Sequence, residues 1–272
     1  MDAVAISEDG LRRWWPVPTG CDDKYSRGVV GIDTGSTRYP GAALLSTLGA
    51  LRAGAGFVRF CGAEAARPAV LARCPSVTFG VGRVNAWVLG CGWDEDETNV
   101  ARLAARLSDG VPCVIDAGAL WVIDEALAAL GWSSLPANCL LTPHAGELAR
   151  LLGVDRKTVE VDPLGHAVRA AERFGAAVLL KGHRQFCASR EARDDPSEAY
   201  EAMQGPSWTA QAGSGDVLAG LAGMLLAAGL SNLDAGAAAA SLQALTATRH
   251  PGPWAPDHLA DWFPETIATL AD

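Results

Sequence analysis

The sequence predicts an α/β fold of three layers, a mostly parallel central sheet with helices on both faces. Three observations carry this. Short apolar runs rich in β-branched residues alternate with longer helix-like segments. The runs are continuously apolar, as strands buried on both faces must be. The chain has 272 residues, 49% of them hydrophobic, enough to bury the core of one large domain spanning 1–272.

In chain order, a first strand is expected over 29–32, where Val29-Val30-Gly31-Ile32 carries no charge. Pro40 and Gly41 then open a small-residue helix over 41–53. A strand over 57–61 and a helix over 64–73 follow, then a strand over 86–89 and a helix over 95–107. Three further apolar runs, 112–115, 138–141 and 176–180, read as strands. The intervening segments 120–130, 146–152 and 162–174 read as helices. Segment 189–206 breaks the pattern: Arg190, Glu191, Arg193, Asp194 and Asp195 precede Pro196, as in an exposed hairpin tip or loop. A helix over 216–228 is closed by Gly229, and a last one over 233–249 has Asn232 near its start. Residues 1–20, with Trp14-Trp15-Pro16, read as an arm that docks on the domain or aids association.

Composition excludes several function classes. A formal net charge of −9 argues against general nucleic-acid binding. The seven cysteines form no Cys-x-x-Cys pair and several lie in strand-like runs, so free buried thiols in a reducing compartment are expected, with no metal site. No basic stretch precedes an apolar one at the N-terminus, and the apolar run 217–230 is too short to span a bilayer. These features predict a cytoplasmic protein with no membrane partner.

The chemistry concentrates at strand-to-helix junctions, where ligands of parallel sheets bind. Gly213-Ser214-Gly215-Asp216 turns the chain into a helix. Outward-pointing N–H groups and the helix dipole there favour an anion such as phosphate, and Asp216 beside it could take a proton from an attacking hydroxyl. The same residues also suit a plain helix cap. The turn lacks the lysine of a Walker-A loop, and Gly28-Val29-Val30-Gly31 precedes its strand's end, unlike a dinucleotide fingerprint. Lys181 is one of only three lysines and ends the run 176–180, so it suits either a nucleotide phosphate or a solvated turn. In Leu141-Thr142-Pro143-His144-Ala145-Gly146-Glu147, His144 could contact substrate and Glu147 suits a first helical turn. Gly90-Cys91-Gly92, Asp116-Ala117-Gly118 and Pro40-Gly41-Ala42-Ala43 are further small-residue junctions.

In this order the junctions resemble the bacterial NAD(P)H-hydrate dehydratases, within the ribokinase-like superfamily. The resemblance rests on Pro40-Gly41-Ala42-Ala43-Leu44-Leu45, Arg52-Ala53-Gly54-Ala55-Gly56, Val114-Ile115-Asp116-Ala117-Gly118-Ala119-Leu120, the Thr142–Glu147 segment, Leu179-Leu180-Lys181-Gly182 and the run from Ala212 to Gly220. It covers residues 24–269. The Gly-x-Gly-Asp turn indicates the superfamily; Thr-Pro-His-x-Gly-Glu with Pro-Gly-Ala-Ala is more specific to the dehydratases. Departures are Ala212-Gly213-Ser214-Gly215-Asp216 for the common Gly-Gly-Thr-Gly-Asp, Cys91 for a common proline, and Arg184, Gln185 and Phe186 where a threonine is frequent.

The resemblance implies a ribokinase-like fold; many relatives carry a fused epimerase domain at the N-terminus, for which no room is expected here. It also implies a hydro-lyase that returns the S-epimer of hydrated NADH or NADPH to the normal cofactor. Its co-substrate would be ADP, or ATP, accompanied by Mg2+. Lys181, Gly182, His183, Arg184, Gln185 and Gly215 would lie at the nucleotide; Gly213, Ser214 and Gly215 would form the anion cradle; Ala42, Ala43, Gly92, His144 and Asp216 would lie at the hydrate. Asp216 would be the catalytic base, and a homotetramer is implied. The alternatives are a small-molecule kinase acting on a vitamin-precursor alcohol, and a non-catalytic adenylate-binding protein.

Overall fold

The computed structural model describes residues 2–94 and 96–271. Ten strands make one sheet: β1 (Val4–Ala5), β2 (Val29–Asp33), β3 (Phe57–Phe60), β4 (Thr78–Phe79), β5 (Ala86–Leu89), β6 (Cys113–Ile115), β7 (Cys139–Leu141), β8 (Ala177–Leu180), β9 (Phe186–Ala188) and β10 (Ala199–Glu201). Their order is β1-β10-β9-β8-β7-β6-β5-β2-β3-β4. From β8 to β4 all neighbours are parallel, while β9 runs antiparallel to both β8 and β10.

The helices are α1 (Glu8–Trp14), α2 (Pro40–Arg52), α3 (Arg67–Arg73), α4 (Thr98–Ser108), α5 (Ile123–Leu130), α6 (Ala145–Leu152), α7 (Arg156–Val161), α8 (Pro163–Phe174), α9 (Ser214–Ala227), α10 (Asn232–Arg249), α11 (Pro256–Ala260) and α12 (Phe263–Ala271). None is long and apolar enough to cross a membrane. The layering is the one the sequence predicts. Alternate strand residues feed two cores: Val88, Val114 and Leu179 face α9 and α10, while Leu89, Ile115 and Val178 face the layer containing α5 and α8. Both faces are covered, so neither set could be polar, and no period of two shows in the sequence.

Several boundaries differ from the sequence reading. The expected helix over 64–73 opens with a 3-10 turn, Glu64–Ala66, and that over 120–130 with another, Ala117–Val122. The helix expected from Glu95, a position outside the described residues, begins at Thr98. Helix α9 starts two residues earlier than expected, at Ser214, because Gly213 with φ +95° turns the chain before it. Segment 189–206 is not only loop: it returns as β10, which pairs with β9.

The N-terminal arm docks on its own domain. Leu11 is fully buried, Trp14 packs 4.9 Å from the Tyr200 ring, Glu8 pairs with Arg249, and β1 extends the sheet beside β10.

α9 is apolar all round and central, with every residue from Val217 to Ala227 buried. It crosses α2 at glycine contacts so close that a Cβ on Gly220 would lie 1.9 Å from the Ser46 carbonyl oxygen, and one on Gly49 would lie 2.1 Å from that of Val217.

The cysteines are all unpaired; Cys21 is exposed, Cys61 half-buried and the other five buried. Titration of the native protein with a bulky thiol reagent is therefore expected to show one fast-reacting thiol, lost in Cys21→Ser, with Cys61 reacting more slowly and the five buried thiols only on unfolding.

Candidate active site

The carboxyl ends of β5, β6, β7 and β8 converge below the start of α9. Asp116 follows β6 and is 2% exposed. Its Oδ1 accepts a hydrogen bond from Lys181 Nζ at 2.7 Å, and its Oδ2 accepts one from the Cys91 thiol at 3.6 Å. The next residue, Ala117, has φ +46°, unique among the described non-glycine residues. Such a conformation is held only by its surroundings and concentrates at functional turns. Gly90 explains how β5 comes so near: a Cβ there would lie 2.1 Å from the Asp116 carbonyl oxygen.

Lys181 leaves β8 and is anchored by its N–H to the Pro143 carbonyl at 2.9 Å. Burial by itself would lower its pKa, but the carboxylates of Asp116 and Glu147 outweigh it and hold the ammonium above its ordinary value. A Cβ on Gly215 would sit 3.2 Å from Lys181 Nζ, so the glycine lets α9 settle over the cation.

At that helix start, Gly213 is the N-cap and supplies no side chain. Ser214 N–H is already donated to the Gln211 carbonyl, whereas the N–H groups of Gly215 and Asp216 have no protein acceptor among the described residues. Two free amides, the helix dipole and Lys181 suit an anion. Asp216 sits in the first turn, not at the cap, so the plain capping reading does not describe it. Its pKa is raised to about 7, first by burial and then by the Asp116 charge, with Glu147 adding to the rise. Lys181 and a hydrogen bond with Cys91 oppose the rise. Asp216 is thus poised to take up or release a proton near neutrality.

β7 delivers His144, the N-cap of α6. Its Nδ1 accepts from the N–H of Gly146 at 3.0 Å and of Glu147 at 3.1 Å, which leaves the ring proton on Nε2. In return the His144 N–H donates to Glu147 Oε2 at 2.7 Å, completing a capping box. Glu147 is 8% exposed, and burial raises its pKa above the ordinary value.

Two cavities meet at this turn. One, of about 480 Å3, is lined by His144, Lys181, Gly182, His183, Gln185, Ser214 and Gly215, with Gly205, Gln243 and Ala244 behind them. The other, of about 920 Å3, is lined by Arg38, Tyr39, Ala42, Gly92, Trp93, Trp121, Glu147, Gly213 and Asp216. Most residues expected at a nucleotide thus share the smaller cavity. Arg184 does not: both ends of its guanidinium are held by Glu201 at 2.7 Å. His144, expected at the hydrate, lines the smaller cavity instead. Ala43 is fully buried beneath the larger one.

The sequence reading missed how the larger cavity is walled. Asp33, at the end of β2, is fully buried and holds Arg102 and Arg106, four residues apart on α4. Its carbonyl accepts from Trp93 Nε1 at 2.9 Å, and the Arg102 guanidinium lies 4.3 Å from the Trp93 ring centre. The four-residue spacing of the arginines was the available signal, but it also fits a solvated helix face.

Cys91, Asp116 and Asp216 place one ligand atom each within 4.8 Å of one another. The two carboxylates fit a hard divalent cation; the thiol, which burial pushes well above its ordinary pKa, does not.

Comparison with known proteins agrees with this geometry. Residues 30–261 match the model of the NAD(P)H-hydrate dehydratase family. A bifunctional NAD(P)H-hydrate repair enzyme of Mycobacterium tuberculosis is 41% identical over 241 residues, 87% of this chain and 48% of that one. The chain thus spans about half the length of that relative. The ADP-dependent (S)-NAD(P)H-hydrate dehydratase of Neisseria meningitidis is 34% identical over 82% of this chain and 77% of its own. The fold is that of the ADP/ATP-dependent NAD(P)H-hydrate dehydratase of Bacillus subtilis, co-crystallized with ATP/Mg2+, with a TM-score of 0.87, 23% identity and 99% of each chain covered. The order of junctions along the chain, the ribokinase-like layering and a family match that runs from β2 into the C-terminal helices have one reading: the chain belongs to the NAD(P)H-hydrate dehydratase family.

Proposed function

We propose that the protein dehydrates the S-epimer of hydrated NADH and NADPH, using ADP and releasing AMP and phosphate. The observation that carries this is the meeting of two cavities, about 480 and 920 Å3, at one proton-accepting carboxylate beside two free amides and a lysine. The smaller suits an adenine nucleotide and the larger a dinucleotide. The names of the relatives support the same substrates.

Hydroxide leaves poorly, so the hydroxyl on the reduced nicotinamide ring is first made into a phosphate ester. Asp216 takes the hydroxyl proton while the oxygen attacks the terminal phosphorus of ADP. Charge on the transferred group is met by the amides of Gly215 and Asp216 and by Lys181. Asp116 holds the ammonium in place. Oxygens of Asp116 and Asp216 would hold a Mg2+ ion, which when bound neutralises phosphate charge. The buried free thiols support a reducing cytoplasm, and the family resemblance supports a homotetramer.

The test is to mix the protein with NADH hydrate, Mg2+ and either ADP or ATP, and follow the return of reduced-nicotinamide absorbance. Recovery is expected with ADP, one phosphate released per cofactor restored. A stable phosphorylated product without recovery would overturn the proposal in favour of a kinase.

A further inference from the structure

Dehydration removes a hydroxyl from one ring carbon and a proton from its neighbour. The hydroxyl proton goes to Asp216 as the phosphate ester forms, and AMP departs with the electron pair of the broken phosphorus–oxygen bond. The ester's carbon–oxygen bond then breaks, its electron pair leaving with phosphate, while the ring nitrogen's lone pair makes a carbon–nitrogen double bond. The adjacent ring carbon still carries one proton too many. Its removal returns the carbon–hydrogen pair to the ring as the carbon–carbon double bond and restores the nitrogen lone pair. A base must take it; Asp216 already holds the first proton, which leaves the departing phosphate or a second carboxylate.

Among the described residues, the carboxylates lining the larger cavity are Asp94, Glu147 and Asp216. Asp116 does not line it, and its two oxygens are bonded to Lys181 and Cys91. Asp94 belongs to the loop between β5 and α4. Glu147 is fixed by the first turn of α6: Oε2 accepts the His144 N–H at 2.7 Å, while Oε1 accepts no hydrogen bond among the described residues. Resting on the dehydratase reading, we infer that Glu147 is the second catalytic base, taking the carbon-bound proton after Asp216 has taken the hydroxyl proton. Burial raises Glu147 above its ordinary pKa, with Lys181 opposing the rise and the Asp116 charge adding to it, so its carboxylate is a stronger base than a solvated one. Two carboxylates in one cavity then act in sequence, on oxygen and on carbon.

The test uses Glu147→Gln, whose amide oxygen can still complete the capping box. In a single turnover with hydrated NADH and ADP, AMP is expected to form within about threefold of the wild-type rate. Return of reduced-nicotinamide absorbance should slow by about 10²-fold or more, with AMP and the undeprotonated ring cation, in equilibrium with its phosphate ester, formed ahead of it. Deuterium on the ring carbon next to the hydroxyl-bearing one should slow absorbance recovery and leave AMP formation unchanged. Equal loss of both steps would mean that Glu147 merely holds α6, and full recovery in Glu147→Gln would mean another group takes the proton; either overturns the inference. Wild-type protein that forms no AMP and restores no cofactor would instead overturn the dehydratase reading itself, so the two failures are distinguishable.

Discussion

Replacing Asp216 with asparagine is expected to lower turnover by about 10²–10⁴-fold, the usual contribution of a positioned base, while raising the stability of the fold. The two effects have one cause. Burial and the charge of Asp116 lift the Asp216 pKa from 3.8 to about 7. The folded state therefore binds the proton more tightly than the unfolded chain does. The stability this group contributes is present below pH 3.8 and lost as pH rises from there to 7; above that, ionisation costs at most about 4 kcal/mol. Asparagine cannot ionise, so at pH 8 the variant should melt higher than the wild type while nucleotide affinity stays within a few-fold. The same pKa sets the wild-type pH profile: activity needs the carboxylate, so rate should fall as pH drops through about 7. Calorimetry at pH 5 and 8, with rates across that range, checks both. An inactive variant that melts lower would assign Asp216 to structure.

The second large effect is expected at the α2–α9 crossing. In Gly220→Ala the new Cβ meets a main-chain oxygen at 1.9 Å, which no rotamer change can relieve. The helices must separate, and the loss should be about 3 kcal/mol or more, outweighing the roughly 1 kcal/mol that alanine gains over glycine in a helix. Because α9 also carries Gly215 and Asp216, any folded fraction should turn over about 10²-fold more slowly, the cost of a misplacement near 1 Å. Urea denaturation and rates per folded molecule separate the two losses. A variant of unchanged midpoint would show that the helices can slide apart freely.

The interior strands were legible because strands covered on both faces are apolar without interruption, as in Val29–Asp33 and Ala177–Leu180. β1 and β4 were not, because two residues carry no period. The Gly213–Asp216 turn announced itself by small residues in a row beside a carboxylate. The group beneath it could not: Asp116 and Lys181 lie 65 residues apart, and only the parallel order of β6, β7 and β8 brings them together. Glu147 reads from sequence only as a residue suited to a first helical turn, while the structure buries it and places it on the wall of the larger cavity. Arg184 reads as part of the nucleotide segment, but Glu201 on β10, invisible in the sequence, occupies its side chain.

The short strand β1 has a consequence unrelated to catalysis. Without it, β10 would be an outermost strand, presenting open backbone donors and acceptors beside the ring of Tyr200. Such an edge is a template on which other chains can pair. Val4 and Ala5 cover part of it, and the Ile6 N–H extends the pairing to the Glu201 carbonyl at 2.9 Å. The tether formed by α1 holds them there. A few residues at the edge of the sheet thus protect the protein against stacking into aggregates through its own strands.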